Sequence, residues 1–189
     1  MEDRKGLLDG DDSPPPWKHR SAEVVGEFTM FRVCRTKLRA PRDGAELTFD
    51  IAESADGVAV IALTDEGDLI LVEQYRPAFR RTFLELPAGV VEEGEDPVEA
   101  GLRELREETG YASSRCRSLG VMVLNPSWQT TRVHVLLCEG ATREGPPELD
   151  EGEDTRVRLA SPEELREAIH TGELDTAITL AALAIRDNA

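Results

Sequence analysis

The stretch Gly89–Tyr111, GVVEEGEDPVEAGLRELREETGY, decides the fold of this 189-residue chain. Its second half predicts a helix, because Asp96 is a favoured N-cap, Pro97 suits the first helical position and Glu99 completes a capping-box pattern. Gly110 is placed to end that helix in a left-handed conformation. The stretch is therefore predicted to be a loop followed by a helix that stops before Gly110.

Three carboxylates cluster on this predicted helix. Glu104, Glu107 and Glu108 stand at i, i+3 and i+4, so we expect their side chains to project together, away from the apolar stripe. Arg103 is predicted to pair with Glu107, four residues on, and to offset part of the like-charge repulsion. Mg²⁺ prefers oxygen ligands and keeps positions for water and phosphate oxygens. The cluster is interpreted as a magnesium site, and a solvated face of an acidic protein is the alternative.

Composition excludes several classes of function. With 38 Asp+Glu against 22 Lys+Arg the net charge is -16, which argues against nucleic acid as a partner, because phosphates are bound by clustered Lys and Arg. No apolar run approaches the roughly 20 residues that a membrane helix needs, and the start of the chain lacks a signal-peptide pattern. Cys34, Cys116 and Cys138 form no C-x-x-C pair and are interpreted as small buried thiols. We expect a cytoplasmic protein that does not bind membranes.

The rest of the chain predicts an α+β fold. Short strands are expected at residues 24–25, 28–36, 47–51, 58–63, 69–75, 83–86, 119–124, 131–138 and 155–159. An acid-rich loop is predicted from Gly140 to Asp154, and two more helices begin near Ser161 and at about Asp175. Residues 1–16 end in three prolines and are predicted to be a disordered or extended leader.

At every fixed position the quoted stretch resembles the Nudix box, G-x5-E-x7-R-E-U-x-E-E-x-G-U, where U is a bulky apolar residue. The matching residues are Gly89, Glu95, Arg103, Glu104, Leu105, Glu107, Glu108, Gly110 and Tyr111. The resemblance implies the Nudix fold, an α/β/α sandwich with a mixed sheet, here with an N-terminal antiparallel strand extension. It implies three parts: the leader at 1–16, a strand-rich extension for dimerisation at 17–57, and the Nudix hydrolase domain at 58–189.

The flanking residues resemble one branch of that family. Val72–Arg76, Leu84–Gly89, Pro126 and the acidic run Glu151–Val157 are similar to the ADP-ribose and nucleoside diphosphate sugar pyrophosphatases. This resemblance implies a homodimeric hydrolase that uses Mg²⁺, or Mn²⁺ as a substitute, and cleaves ADP-ribose to AMP and ribose 5-phosphate. GDP-mannose, another nucleotide sugar or a dinucleotide is the alternative substrate. A nucleotide sensor without hydrolytic activity is a third interpretation.

The resemblance also implies a role for each matching residue. The implied metal ligands are the Ala88 carbonyl, Glu104, Glu107, Glu108 and Glu153. The implied catalytic residues are Glu151 as general base, Glu107, and Arg103, which orients the carboxylates by ion pairing. Water is expected to attack a diphosphate phosphorus while the metal lowers the pKa of that water and neutralises the phosphoryl oxygens. For Glu151 and Glu153, two surface acids in a flexible loop are the alternative.

Substrate contacts are expected from five residues, namely Arg76, Arg81, Trp17, Phe28 and Pro126. The arginines are expected to contact phosphate, with ordinary surface arginines as the alternative. The aromatic side chains are expected to stack on the base, with core or interface packing as the alternative. Glu95 is expected to brace the loop, while Gly89 and Gly110 are expected to meet backbone requirements, either positive φ or close approach.

Overall fold

The computed structural model describes residues 14–149 and 154–189. These residues divide into two compact units. The first holds the described chain up to Ser54 together with Ser127–Thr130, and the second holds Ala55–Pro126 and the described chain from Thr131 to Ala189. Within the described ranges, no helix is long and apolar enough to cross a membrane.

The first unit is built on a three-stranded antiparallel sheet. Its strands β1 (Lys18–Glu27), β2 (Arg32–Arg39) and β3 (Glu46–Glu53) lie in chain order. The strand predicted at 28–36 begins only at Arg32, because the Phe28 N–H donates to the Phe31 carbonyl at 2.9 Å and closes a turn between β1 and β2. The pattern of aromatic and apolar residues alone did not reveal this turn.

Among its described residues, the second unit contains nine strands and three helices. The strands are β4 (Gly57–Leu63), β5 (Leu69–Arg76), β6 (Arg81–Glu85), β7 (Ala88–Val90), β8 (Tyr111–Ala112), β9 (Arg115–Val123), β10 (Arg132–Glu139), β11 (Thr142–Arg143) and β12 (Thr155–Ala160). The helices are α1 (Pro97–Thr109), α2 (Pro162–Thr171) and α3 (Ala177–Arg186). Seven strands form one sheet in the order β12-β5-β4-β10-β9, with β6 beside β5 and β7 beside β4. The sheet is mixed, because β4 and β10 run parallel while the other pairs are antiparallel.

Helices cover both faces of this sheet. Alternate residues of β4 point to opposite sides: Ala59 and Ile61 pack with residues of α2 and α3, and Val58 and Val60 pack with residues of α1. This alternation is what a strand buried on both faces requires. The result is the predicted α+β architecture, a mixed sheet between two helical layers with antiparallel strands preceding it.

A fork opens in the middle of the sheet. The ladder between β4 and β5 contains only the pairs Ala62–Ile70 and Leu63–Leu69. Beyond them β6 continues the ladder on β5, and β7 continues it on β4. Leu86 and Pro87 join β6 to β7, so the segment Leu86–Gly89 lies in the fork where the two strands diverge.

Helix α1 begins and ends where the sequence predicts. The Asp96 side chain accepts a hydrogen bond from the Val98 N–H, and Gly110 has φ 73° and donates its N–H to the Arg106 carbonyl. The predicted box with Glu99 does not form, since the Asp96 side chain caps N2 rather than N3. A capping box does form at α2, between Ser161 and Glu164.

The cysteines differ from the expectation of three buried thiols. Cys116 on β9 lies directly opposite Cys138 on β10, and the structure joins them in a disulfide. Cys34 is a free thiol and is buried. The prediction was wrong for two of the three because the pairing of β9 with β10, rather than any local spacing, brings these sulfurs together.

Candidate active site

The carboxylate face of α1 is turned into the protein rather than toward solvent. Glu104 and Glu108 are 9% and 1% exposed, whereas the sequence predicted a projecting face. Both lie against the Leu86–Gly89 segment, because the Ala88 N–H donates to Glu108 Oε2 at 3.0 Å and Gly89 lies beside the Glu104 carboxyl group. A buried carboxylate needs hydrogen bonds or an opposite charge to compensate for lost water, and the Ala88 N–H supplies one such bond to Glu108 while Arg103 supplies the charge beside Glu104.

Gly89 makes room for the Glu104 carboxyl group. A Cβ at this glycine would stand 2.0 Å from both Glu104 Cδ and Glu104 Oε1, and no side chain can approach so closely. Gly89 therefore meets the expected backbone requirement by close approach. Gly110 meets it through its positive φ of 73°.

Arg103 joins the carboxylates of α1. Its Nη1 donates to Glu104 Oε1 at 2.8 Å and to Glu107 Oε2 at 3.1 Å. The pair with Glu107 is the predicted i,i+4 contact. One guanidinium thus balances two carboxylates that would otherwise repel each other on the same helix.

The other edge of Arg103 holds the loop that precedes the helix. Nε and Nη2 donate to the two oxygens of Glu95 at 3.0 and 3.1 Å, and Nη2 also donates to the Val90 carbonyl at 3.0 Å. Glu95 in turn accepts the Glu92 N–H at 3.0 Å. The bond to Glu95 is the largest cause that raises the pKa of Arg103, so this guanidinium stays charged.

Glu95 makes the stability of the folded protein depend on pH, and this dependence can be measured. The hydrogen bond from Arg103, followed by the one from the Glu92 N–H, lowers the pKa of the Glu95 carboxyl. Its contribution to stability is therefore present above the ordinary glutamate pKa and is lost as pH falls through the lowered native value. We expect Glu95→Gln to reduce the loss of stability between about pH 5 and pH 3.

Urea unfolding of the wild type, Glu95→Gln and Glu93→Gln across that range measures this effect. Glu93 is an exposed neighbour in the same loop and serves as the matched control. If the free energy of unfolding falls equally with pH in Glu95→Gln and in the wild type, Glu95 does not cause the loss of stability.

The chain on either side of residues 150–153 is hydrogen bonded to the end of α1. The Glu148 N–H donates to the Glu107 carbonyl at 2.8 Å, and Thr155 Oγ1 donates to the Glu108 carbonyl at 3.2 Å. These bonds satisfy carbonyls that a helix C-terminus leaves without intrahelical partners. Both predicted residues of this acidic segment, Glu151 and Glu153, lie outside the described residues.

The donors at this site fit a hard divalent cation. Glu104 and Glu108 are buried carboxylates, and the missing Cβ of Gly89 leaves the space that the Glu104 carboxyl group fills. Oxygen donors of this kind are those that Mg²⁺ and Mn²⁺ bind. As the side chains stand, the described ranges contain no group of three His, Cys, Asp or Glu residues arranged to hold a metal ion. Arg103 supplies the positive charge beside Glu104 and Glu107.

The two predicted phosphate-binding arginines have protein partners. Arg76 ends β5 and donates from Nε to Glu85 Oε2 at 2.8 Å. Arg81 begins β6, donates to Asp175 and places its guanidinium carbon 3.7 Å from the centroid of the Phe83 ring. Both arginine side chains are about half exposed.

The remaining predicted substrate contacts are distributed over both units. Trp17 and Phe28 belong to the first unit, where Trp17 packs edge-on against Phe49 at 5.7 Å between ring centroids. Phe28 packs on Phe31 at 5.0 Å. Pro126 belongs to the second unit and lies in the connection between β9 and β10.

Two threonines that sequence reasoning did not single out contact the backbone of the site. Thr155 bonds to the Glu108 carbonyl from 47 residues away. Thr179 accepts the Leu86 N–H from 93 residues away. No local pattern distinguishes these threonines from others in the chain, because only the folded sheet brings them to α1 and to the fork.

Comparisons with known proteins agree with this geometry. A family model described as the NUDIX domain matches residues 53–182. The chain is 37% identical over 135 residues to a protein of Bacillus subtilis named ADP-ribose pyrophosphatase, covering 71% of this chain and 73% of that one. It is 31% identical over 165 residues to a Mycobacterium tuberculosis protein of the same name, covering 86% and 79%.

Among solved structures, the fold is similar to one described as a crystal structure of ADP compounds hydrolase. The TM-score is 0.81 at 20% sequence identity, over 93% of this chain and 95% of that chain. At this identity the likeness concerns the fold.

Proposed function

Because the chain belongs to the Nudix family, we propose that it hydrolyses the diphosphate of a nucleoside diphosphate sugar, with ADP-ribose as the substrate. The products are AMP and ribose 5-phosphate. One observation carries the proposal: Glu104 and Glu108 are buried side by side on α1 against the Ala88–Gly89 backbone. The names of the two bacterial relatives support the choice of substrate.

Nudix hydrolases generally use a divalent metal ion. We assign Mg²⁺ as this ion, with Mn²⁺ as a substitute. Residues that would hold it are the Ala88 carbonyl, Glu104, Glu107, Glu108 and Glu153. When bound, Mg²⁺ would lower the pKa of a water molecule and neutralise charge on the phosphoryl oxygens. A cation between protein and substrate also explains how a chain of net charge -16 binds an anionic diphosphate.

Protein groups orient the substrate and the carboxylates. Arg103 reduces the repulsion between the Glu104 and Glu107 carboxylates, because its Nη1 donates a hydrogen bond to each of them. Arg76 and Arg81 contact the phosphates, and Trp17, Phe28 and Pro126 contact the base or sugar. Water attacks one phosphorus, the bond from that phosphorus to the bridging oxygen breaks, and the proton of the water passes to a carboxylate.

The carboxylate that takes this proton is Glu151. Glu151→Gln is expected to lower kcat by about 10²- to 10⁴-fold, the range for a general base, because an amide cannot accept the proton. Glu153→Gln is expected to weaken metal binding and to lower kcat by about tenfold or more, because it removes a charged ligand. Glu144→Gln is the control, since Glu144 is an exposed acid of the same loop. Losses in kcat below tenfold for both Glu151→Gln and Glu153→Gln at saturating Mg²⁺ would contradict these roles.

The proposal includes a homodimer. The three-stranded unit exposes many large apolar side chains, namely Val24, Val25, Phe28, Met30, Phe31 and Leu47. Exposed apolar surface of this extent is typical of an interaction site. Light scattering is expected to give twice the mass of one chain, and the mass of a single chain would contradict the dimer.

Product analysis on a small substrate panel with Mg²⁺ tests the activity. The panel contains ADP-ribose, GDP-mannose, NADH, a diadenosine polyphosphate and a deoxynucleoside triphosphate. AMP and ribose 5-phosphate from ADP-ribose, formed faster than products from the other compounds, is the expected result. Faster turnover of another compound would overturn the substrate, and no turnover with Mg²⁺ or Mn²⁺ would overturn the hydrolase.

A further inference from the structure

The backbone N–H of Leu86 lies at a gap between two strand ladders. The last pair of the β5–β6 ladder is Val72–Glu85, and the β4–β7 ladder includes Ala59–Ala88. Leu86 falls between them and is 2% exposed, so its N–H needs a partner from outside the sheet ladder. That partner is Thr179 Oγ1 of helix α3, at 3.2 Å.

Thr179 is held in place to accept this bond. It is 1% exposed, and its Oγ1 also accepts a hydrogen bond from Thr176 Oγ1 at 2.9 Å. Thr176 is the N-cap residue of α3, yet its side chain makes no cap hydrogen bond. The hydroxyl that would ordinarily cap the helix is directed instead to Thr179.

The fixed N–H lies directly before the backbone that contacts the carboxylates of α1. The Pro87 carbonyl accepts the Val60 N–H at 2.9 Å, and the Ala88 N–H donates to Glu108. Gly89 then lies against the Glu104 carboxyl group. Thr179, Val60 and Glu108 therefore hold successive residues of one short segment, and only Thr179 approaches from α3, the helix on the far side of the sheet.

We propose that Thr179 is a positioning residue, whose hydroxyl fixes the Leu86–Gly89 segment and thereby sets where Glu104 and Glu108 present their carboxylates. The inference rests on the proposed metal-dependent hydrolysis. Hydrogen bonds that orient metal ligands directly change metal affinity or activity by about 10- to 100-fold when they are removed, and the Thr179 bond acts on two of the proposed ligands through the Leu86–Gly89 backbone. Thr179 has no contact with substrate in this scheme and acts only through the backbone of the fork.

Thr179→Val tests the inference, because valine keeps the shape of threonine and removes the acceptor. Direct Mn²⁺ titration, read from the electron paramagnetic resonance of free Mn²⁺ in the absence of substrate, is expected to give at least a tenfold weaker Kd than the wild type. Amide hydrogen exchange at Leu86 is expected to quicken. Thr179→Ser retains the hydroxyl, so we expect it to have the wild-type Mn²⁺ Kd and the wild-type exchange rate at the Leu86 amide.

Leu183→Val is the matched control for stability alone. Leu183 is buried on the same face of α3 and bonds to nothing in the fork. We expect this variant to lower Tm while leaving the Mn²⁺ Kd and the exchange of the Leu86 amide unchanged. If Thr179→Val does not fold, Thr179→Ala and Thr179→Ser give the same comparison, since both lack the methyl group and only serine keeps the hydroxyl.

The outcomes separate this inference from the proposed function. Unchanged Mn²⁺ binding by Thr179→Val, or a weakening equal to that of Leu183→Val, would overturn the positioning role. Inactivity of the wild type on the whole substrate panel would overturn the proposed function, while the Mn²⁺ titration would still decide whether Thr179 positions the carboxylates.

Discussion

Glu108→Gln is expected to lower kcat for ADP-ribose by about a thousandfold at saturating Mg²⁺. Ligand charge at such a site is worth several kcal/mol in the transition state, and each ~1.4 kcal/mol is a factor of ten in rate. The substitution keeps the size of the side chain and an oxygen that can accept the Ala88 N–H. The expected fall in kcat therefore results from the lost negative charge and not from altered packing.

The same variant is expected to be as stable as the wild type or more stable when no metal is added. Glu108 is 1% exposed, so the folded protein must bury a carboxylate that an amide replaces without charge. Glu99→Gln is the matched control, since Glu99 is an exposed acid on the first turn of the same helix. A kcat within tenfold of the wild type would contradict the assignment of Glu108 as a ligand.

Gly89→Ala is expected to lower kcat by about a hundredfold in a protein that still folds. The new Cβ would stand 2.0 Å from the Glu104 carboxyl group, which must therefore move. A displacement of about 1 Å at a reacting centre can reduce the rate by about 10²-fold. The displaced group is the end of a side chain rather than backbone, so we expect the variant to fold with a loss of about 1–3 kcal/mol in the free energy of unfolding, the usual cost of overpacking.

Steady-state kinetics with chemical denaturation of the same samples measures both expectations for Gly89→Ala. Gly145→Ala is the control, because a Cβ at Gly145 would meet no heavy atom within 4 Å. Wild-type kcat in Gly89→Ala would show that the contact with Glu104 has no part in the reaction. A large loss of stability would instead indicate that the segment cannot adjust.

The sequence predicted α1 well because its limits depend on local chemistry. Asp96, Pro97 and Gly110 act within a few residues of themselves, and the helix begins and ends as they indicate. Fold class followed from the motif and from strand patterns, and the mixed sheet with helices on both faces agrees with it. The pairing of Arg103 with Glu107 also follows from helical spacing alone.

The features that the sequence did not predict depend on distant segments. The face of Glu104 and Glu108 is buried because the Leu86–Gly89 segment lies over it, and a helical wheel contains no information about that neighbour. The fork and the bond from Leu86 to Thr179 require strands and a helix that are far apart in the chain. For the same reason the opposed positions of Cys116 and Cys138 could not be read from their spacing.

The fork also constrains the order in which a newly made chain can become active. Synthesis proceeds from the N-terminus, so Gly89–Tyr111 leaves the ribosome well before α3, whose Thr179 lies 93 residues beyond Leu86. Until that helix docks, the Leu86 N–H has no partner within its own strand ladders. Helix α1 can therefore form early in translation, but the backbone segment that lies against Glu104 and Glu108 is fixed only after α3, a much later segment of the chain, has emerged. Contacts of such long range also slow folding, because the chain must close a large loop before it gains them.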